Sequence, residues 1–128
     1  MPTDSAARVH LSIAEARTLS ERAMRGIGYD AEEARILADH VIDAALCGYE
    51  YSGLPKLLNV AEQPRFKAPR RSMRALKETA VSVLFDGGNQ SGMLGMYGAT
   101  RVVIERANAH GFALVGVNNL WIDRKSVV

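Results

Sequence analysis

One pattern constrains the fold more than any other: a long helical segment lies between two short apolar segments of β-branched character. Ala80–Phe85 and Phe112–Val117 are predicted to be strands, and Ser91–His110 is predicted to be the helix between them, stopped by Gly111. Two strands joined through one helix pack as a parallel pair with a right-handed crossover. A further strand is predicted at Ala75–Glu78, which gives the order β-β-α-β. The buried side of the long helix is predicted to carry Met93, Met96, Tyr97, Thr100, Val103, Ile104 and Ala107.

Helical patterns precede this unit. The first predicted helix runs from Leu11 to Ile27, and Ser12 with Glu15 is predicted to form a capping box. In a capping box, each side chain accepts a hydrogen bond from the other residue's backbone N–H. Asp30 is predicted to cap a second helix, which Gly48 ends.

A third and shorter helix is expected from Ser52 or Leu54 to about Glu62, with Pro64 as its stop. The stretch at 64–74 is basic and contains two prolines. We interpret it as a solvated linker in preference to a phosphate-binding patch.

The predicted domain organisation follows these elements. Residues 1–63 form a helical N-terminal unit, 64–74 a basic linker, and 75–128 an incomplete α/β portion. The fold class is α+β, a helical unit followed by the start of a mixed sheet in the order β-β-α-β. Because a strand buried on both faces needs more sheet beside it, we expect Val128 to be a truncation or frame break.

Composition excludes several classes of protein. The 16 basic and 14 acidic residues leave a net charge of +2, which is too balanced for nucleic acid as the main partner. No apolar run reaches the length of a membrane span, and the first eight residues lack the apolar core of a secretory signal. A single cysteine, Cys47, excludes a disulfide scaffold within the chain and favours a reducing compartment. The expected location is the cytoplasm.

A glycine-rich segment follows the second predicted strand. Asp86-Gly87-Gly88-Asn89 is a turn signal, and glycines between a strand and a helix are typical of dinucleotide-binding sites. The spacing does not match G-x-G-x-x-G, and Asn118 and Asn119 stand where an acidic ribose ligand would be expected. We therefore interpret the segment as an ordinary strand-to-helix turn. Asp39, His40 and Asp43 lie within one predicted helical turn, but only His40 and Asp43 are spaced to meet, and nothing nearby supplies a third ligand, so no metal site is predicted.

The most unusual stretch is the corner between the second and third helices, Gly48-Tyr49-Glu50-Tyr51-Ser52-Gly53-Leu54-Pro55-Lys56. Ser52 and Lys56 would share a helix face if the helix began at Ser52. A lysine near a tyrosine can lower the phenol pKa, which would make Tyr51 or Tyr49 a proton donor. The alternative is that Ser52 only caps the helix and the tyrosines only pack. The residues alone leave both open.

This corner resembles the Gly-His-Asp-Ser-His-Gly-Leu-x-Arg motif of the malate/L-lactate dehydrogenase-like family, and it aligns without a gap. That family includes ureidoglycolate dehydrogenases and Δ1-piperideine-2-carboxylate reductases. Four further segments are similar to the family's amino-terminal half in order and spacing: 11–17, 38–44, 85–89 and 111–117.

The resemblance implies hydride transfer between NAD or NADP and a small 2-hydroxy acid, 2-oxo acid or cyclic imino acid. It also implies a non-Rossmann fold and a homodimer when the protein is full length. The family segment that touches cofactor and substrate falls on Asn119, Leu120, Trp121 and Ile122.

Departures from the motif affect the site. The family's proton-transferring histidine falls on Ser52, its assisting serine on Tyr51, and its carboxylate-binding arginine on Lys56. Lysine keeps the charge but loses the bidentate fork. Three outcomes are open: Tyr51 or Tyr49 donates the proton with help from Lys56, the protein binds a related ligand without turnover, or the isolated 128 residues are inert. The last is the expectation for the chain alone.

Overall fold

The computed structural model describes residues 9–121, which fold as four α-helices, two short 3-10 turns and three strands in an α+β arrangement. The helices are α1 Ile13–Gly26, α2 Ala31–Leu46, α3 Lys56–Glu62 and α4 Gly92–His110. The 3-10 turns are Glu50–Ser52 and Pro64–Lys67. The strands are β1 Arg74–Glu78, β2 Ser82–Ser91 and β3 Leu114–Trp121.

Both long amino-terminal helices begin with capping boxes. At α1, the Glu15 backbone N–H donates to the Ser12 hydroxyl over 3.2 Å, and the Ser12 N–H donates to the Glu15 carboxylate over 2.9 Å. The Ser12 side chain and backbone together hold the pKa of Glu15 below its usual value. Asp30 and Glu33 repeat the arrangement at α2. The predicted starts of both helices are thus confirmed.

The third helix begins later than the sequence indicated. It starts at Lys56, with Pro55 as its N-cap, and the residues before it form the 3-10 turn. The expected start at Ser52 or Leu54 is wrong because a proline disfavours helical backbone at the residue before it, here Leu54. Ser52 and Lys56 therefore do not share one face of a helix.

A three-stranded mixed sheet follows the helical part, in the order β1-β2-β3. β1 pairs antiparallel with β2, and β2 pairs parallel with β3, with Phe85 opposite Val117. α4 connects the two parallel strands. The parallel β-α-β unit predicted from the apolar segments is confirmed.

The Asp86–Asn89 segment is not a free turn. β2 continues through it to Ser91, with an irregularity in its pairing to β3 between Asp86 and Gln90. Gly88 has φ +64° and Asn89 φ +60°, so two consecutive left-handed residues make a bulge within the strand. The glycines are visible in the sequence, but the sequence does not show that β2 pairs with β3 both before and after them.

The buried face of α4 differs in part from the prediction, since Met93 is buried as expected but most of the other predicted residues are not. Its buried residues are Gly92, Met93, Gly95 and Ala99, whereas Met96, Tyr97 and Ile104 of the predicted face are exposed. The reason is steric: a Cβ on Gly95 would lie 3.0 Å from one Leu120 methyl and closer to the other. Close approach of α4 to β3 requires small residues, so the face of α4 that carries glycine and alanine packs against the sheet.

The main core lies between the helical part, the basic stretch and the end of β3. Phe66 lies beside Tyr29 and Trp121, with ring centroids 5.6 Å and 6.3 Å apart respectively. Arg70 stacks on the Tyr29 ring at 4.4 Å and pairs with Glu33 over 2.7 Å. The basic stretch is therefore partly packed into the fold, and the expectation of a wholly solvated segment is wrong at these residues.

Candidate functional site

The tyrosine corner is open to solvent. Tyr51 is 76% exposed and Tyr49 is 64% exposed, while Ser52 and Lys56 are half-buried. The 3-10 turn is closed by hydrogen bonds from the Ser52 N–H to the Tyr49 carbonyl and from the Gly53 N–H to the Glu50 carbonyl, both 3.1 Å. These tyrosines are consequently not core residues, and their hydroxyls are accessible to a ligand.

Lys56 and Tyr51 are brought together at this corner. The Lys56 ammonium lies 5.2 Å from the centroid of the Tyr51 ring, a cation–π distance. Gly53 lets the turn lie against α2, because a Cβ there would be 3.1 Å from the Ala45 methyl. The corner thus presents an exposed phenol ring with an ammonium group against it.

The predicted cofactor segment has a different environment. Asn119 is exposed, but Leu120 and Trp121 are buried, Trp121 to 3%. The Trp121 indole N–H donates to the Asn89 carbonyl over 2.8 Å, and the Leu120 side chain covers Gly95 of α4. Of the three described residues of this segment, only Asn119 has a side chain open to a ligand. Ile122 lies outside the described residues.

Arg65 binds this segment, a contact that the sequence analysis missed. Its Nε donates to Asn89 Oδ1 over 2.9 Å, one terminal nitrogen to the Leu120 carbonyl over 2.8 Å, and the other to Asn119 Oδ1 over 2.7 Å. These residues are 24 to 55 positions apart in the chain. A proline-flanked arginine gives no signal of such partners in a single sequence.

Asp86 completes the group at the ends of β2 and β3. Its Oδ1 accepts from the Gly88 N–H and from Asn119 Nδ2, each over 2.9 Å. The Gly88 hydrogen bond, followed by the Asn119 one, holds the pKa of Asp86 below its usual value. Asp86 is therefore an anion that is linked to the Arg65 guanidinium only through the Asn119 amide, while its other oxygen pairs with Arg71 over 3.4 Å.

Gly88 is approached by protein backbone. A Cβ on this residue would lie 2.8 Å from the Arg71 carbonyl carbon and closer to its oxygen, and the Arg71 N–H donates to the Gly88 carbonyl over 2.8 Å. β2 ends at Ser91 and α4 begins at the next residue, Gly92. Ser91 caps α4, because its hydroxyl accepts a hydrogen bond from the Leu94 N–H. The described geometry does not leave Gly88 open for a phosphate, which agrees with the rejected glycine fingerprint.

Other classes of site find no support in the part of the chain that the structure covers. Within residues 9–121, no three His, Cys, Asp or Glu side chains are grouped so that they could hold a metal ion. No helix in that range is long and apolar enough to cross a bilayer. Cys47 is a free, exposed thiol.

Comparison with known proteins places this geometry in a family. The malate/L-lactate dehydrogenase family matches residues 11–121, which is nearly all of the described chain. The chain belongs to the malate/L-lactate dehydrogenase family. Hydroxycarboxylate dehydrogenase B of Escherichia coli (strain K12) is 30% identical over 98 residues, covering 74% of this chain and 27% of that relative. Malate/(S)-sulfolactate dehydrogenase of Methanothermus fervidus is 27% identical over 111 residues, covering 85% of this chain and 33% of that relative.

The fold is shared with solved structures of dehydrogenases. Malate dehydrogenase from Pyrococcus horikoshii OT3 superposes with a TM-score of 0.82 at 22% identity, over 88% of this chain and 33% of that structure. The chain thus spans about a third or less of the length of the relatives it matches. The resemblance stated from the corner motif is confirmed, and so is the α+β fold class.

Proposed function

We propose that this chain is the amino-terminal part of an oxidoreductase that transfers a hydride between NAD or NADP and a small carboxylate. The carboxylate is a 2-hydroxy or 2-oxo acid, or a cyclic imino acid. Membership of a family of dehydrogenases supports the reaction class. The observation that carries the proposal is the exposed pairing of Tyr51 with Lys56 at the corner where the family motif lies.

Each residue of the corner has a distinct role in this proposal. The Lys56 ammonium binds the substrate carboxylate as a point charge. The Tyr51 hydroxyl donates its proton to the oxygen on C2 during reduction of a 2-oxo acid and recovers a proton from water afterwards. The nicotinamide, when bound, supplies the hydride to C2 or accepts it. Ser52 can only offer a hydrogen bond. It cannot replace an imidazole in proton transfer, because a serine hydroxyl has no accessible pKa near neutrality.

Tyr49 is the alternative proton donor. It is exposed like Tyr51 and lies two positions earlier in the same corner. Tyr51 is preferred because Lys56 lies against its ring. The two tyrosines therefore provide a matched pair for mutagenesis.

The cofactor residues of this proposal are Asn119, Leu120, Trp121 and Ile122. The exposed Asn119 amide next to the Arg65 guanidinium suits ribose hydroxyls or phosphate oxygens, which accept hydrogen bonds. Leu120 and Trp121 are buried, so their part is to support the backbone of the segment from beneath. The described residues fit one edge of a dinucleotide site.

The test compares two tyrosine variants of the complete gene product. Oxidation of NADH and NADPH is followed at 340 nm with small 2-oxo acids such as pyruvate and oxaloacetate. We expect Tyr51→Phe to lower kcat by roughly a hundredfold or more, as loss of an acid–base group does, and Tyr49→Phe to leave it within about twofold. The reverse result would transfer the role to Tyr49. Full activity in both variants would remove the corner from the chemistry.

A second candidate is a catalytically inactive ligand-binding or oligomerisation module on the same scaffold. The observation in its favour is that Ser52 and Lys56 stand where the family motif has histidine and arginine. Titration of the complete gene product with NADH and NADPH separates the candidates. If the folded protein binds neither cofactor, the dehydrogenase is excluded and the inactive ligand-binding or oligomerisation module is the remaining candidate.

The remaining parts of the proposal concern location and partners. The balanced charge argues against nucleic acid, and the free thiol of Cys47 supports a reducing compartment, which here is the cytoplasm. The partner of the complete protein is a second copy in a homodimer, and the ligand is a small carboxylate. We expect the isolated 128 residues to be inert.

A further inference from the structure

Two asparagines with left-handed backbone lie at the ends of neighbouring parallel strands. Asn89 has φ +60° in β2 and Asn119 has φ +56° in β3. Among residues 9–121 they are the only non-glycine residues with positive φ. Such a conformation is uncommon outside glycine and persists where surrounding contacts hold it, often at functional sites. The contacts of Asn89 and Asn119 show what holds each of them in this conformation.

Arg65 contacts both asparagines with one planar group. Its Nε and one terminal nitrogen donate to the side-chain oxygens of Asn89 and Asn119, and the Asn89 amide donates back to the Arg65 carbonyl over 3.0 Å. The third hydrogen bond, to the Leu120 carbonyl, fixes the backbone immediately after Asn119. All three acceptors are neutral oxygens in a geometry that matches the rigid fork of a guanidinium.

Asn119 is also held from its other side. Its amide nitrogen donates to the Asp86 carboxylate, while its amide oxygen accepts from Arg65. The amide is thus oriented by an anion at one end and a cation at the other. Hydrogen bonds to charged groups are stronger than those between neutral groups, so both ends of this side chain are firmly bound.

We propose that Arg65 is a positioning residue for the segment Asn119–Trp121. It holds Asn119 in the left-handed conformation and so sets where the exposed Asn119 amide and the following backbone lie. The value of this positioning for cofactor binding rests on the proposed function. The positioning itself is a property of the fold and can be measured without a cofactor.

Arg65→Lys distinguishes positioning from charge. Lysine keeps the positive charge but cannot bind three separate acceptors with one planar group. A residue that only attracts an anion would tolerate this change, whereas a positioning residue would not. Arg65→Ala removes both properties, and Arg25→Lys on the exposed end of α1 is the matched control.

Amide hydrogen exchange of the folded 128-residue chain provides the decisive measurement. We expect exchange at residues 118–121 to rise about tenfold or more in Arg65→Lys and Arg65→Ala, equivalent to about 1.4 kcal/mol of local opening. Exchange in α1 and α2 should stay at the wild-type rate, and Arg25→Lys should change neither region. A wild-type rate at 118–121 in Arg65→Lys would overturn the proposal. So would an equal rise in every element, which would indicate general destabilisation.

A second readout links the positioning to the proposed cofactor. NADH is titrated against the complete gene product and its Arg65→Lys variant, and the change in NADH fluorescence reports binding. We expect the dissociation constant for NADH in Arg65→Lys to rise about tenfold, equivalent to about 1.4 kcal/mol, because lysine no longer orients the Asn119 amide in the closed state. Unchanged affinity despite faster exchange would overturn the link to the cofactor. If the complete wild-type gene product binds neither NADH nor NADPH, the proposed function fails, and the exchange data still decide the role of Arg65.

Discussion

Replacing Gly88 by alanine tests whether the bulge in β2 is a closely packed structural junction. Left-handed backbone costs a residue with a Cβ about 1–2 kcal/mol. The new methyl would meet the Arg71 carbonyl carbon at 2.8 Å and its oxygen closer still, and forced overpacking costs about 1–3 kcal/mol. The shift that relieves this clash would also weaken the hydrogen bond from the Arg71 N–H to the Gly88 carbonyl, worth about 1 kcal/mol. We expect a total loss of about 3–6 kcal/mol in the free energy of unfolding.

Gly48→Ala is the matched control for this change. Gly48 has φ +83°, and a Cβ there would have nothing within 4 Å, so it carries the backbone cost without the clash. We expect it to lose only about 1–2 kcal/mol. Urea unfolding followed by far-UV circular dichroism measures both losses, with unchanged slope as the check on two-state behaviour. Equal losses in the two variants would refute the argument that the Arg71 backbone closes the space above Gly88.

Two further predictions concern the core. Gly95→Ala and Leu120→Ala should each be destabilising, and Leu120→Ala should cost about 2–4 kcal/mol of unfolding free energy. The double variant should lose less than the sum of the two, because alanine at position 120 makes room for the new methyl group at position 95. Strictly additive losses in urea unfolding would contradict the contact between Gly95 and Leu120. Tyr29 is buried, and its hydroxyl has no hydrogen-bond partner among residues 9–121, so Tyr29→Phe should leave stability at pH 7 unchanged or raise it by about 1 kcal/mol. Burial raises the pKa of Tyr29 from 10.0 to about 12, so the wild type should lose stability as pH rises through that window while the unfolded chain ionises first. Urea midpoints at pH 7 and pH 11 check this, and an equal alkaline loss in Tyr29→Phe would contradict it.

The sequence was most informative where structure is local. Capping boxes depend on residues three positions apart, so Ser12 and Glu15 could be recognised directly. The parallel β-α-β unit was predictable because a single helix lies between two apolar segments. The exposed corner was recognised through its motif, whose residues are contiguous.

The sequence was least informative where distant segments decide the outcome. Both faces of α4 carry apolar residues, and which face is buried depends on the fit of Gly95 to Leu120, 25 positions later. The bulge at Gly88 depends on the Arg71 backbone. The partners of Arg65 lie up to 55 positions away and have no pattern in one sequence.

The same distances set the order in which the molecule can fold. The Arg17–Asp39 ion pair joins α1 to α2 across 22 positions, whereas the Arg65–Asn119 contact spans 54. Because closing a longer loop costs more entropy, the helical pair is expected to form before the ends of the parallel strands are joined. The Arg65–Asn119 contact would then be absent from the transition state for folding, and its chief kinetic effect would be to slow unfolding.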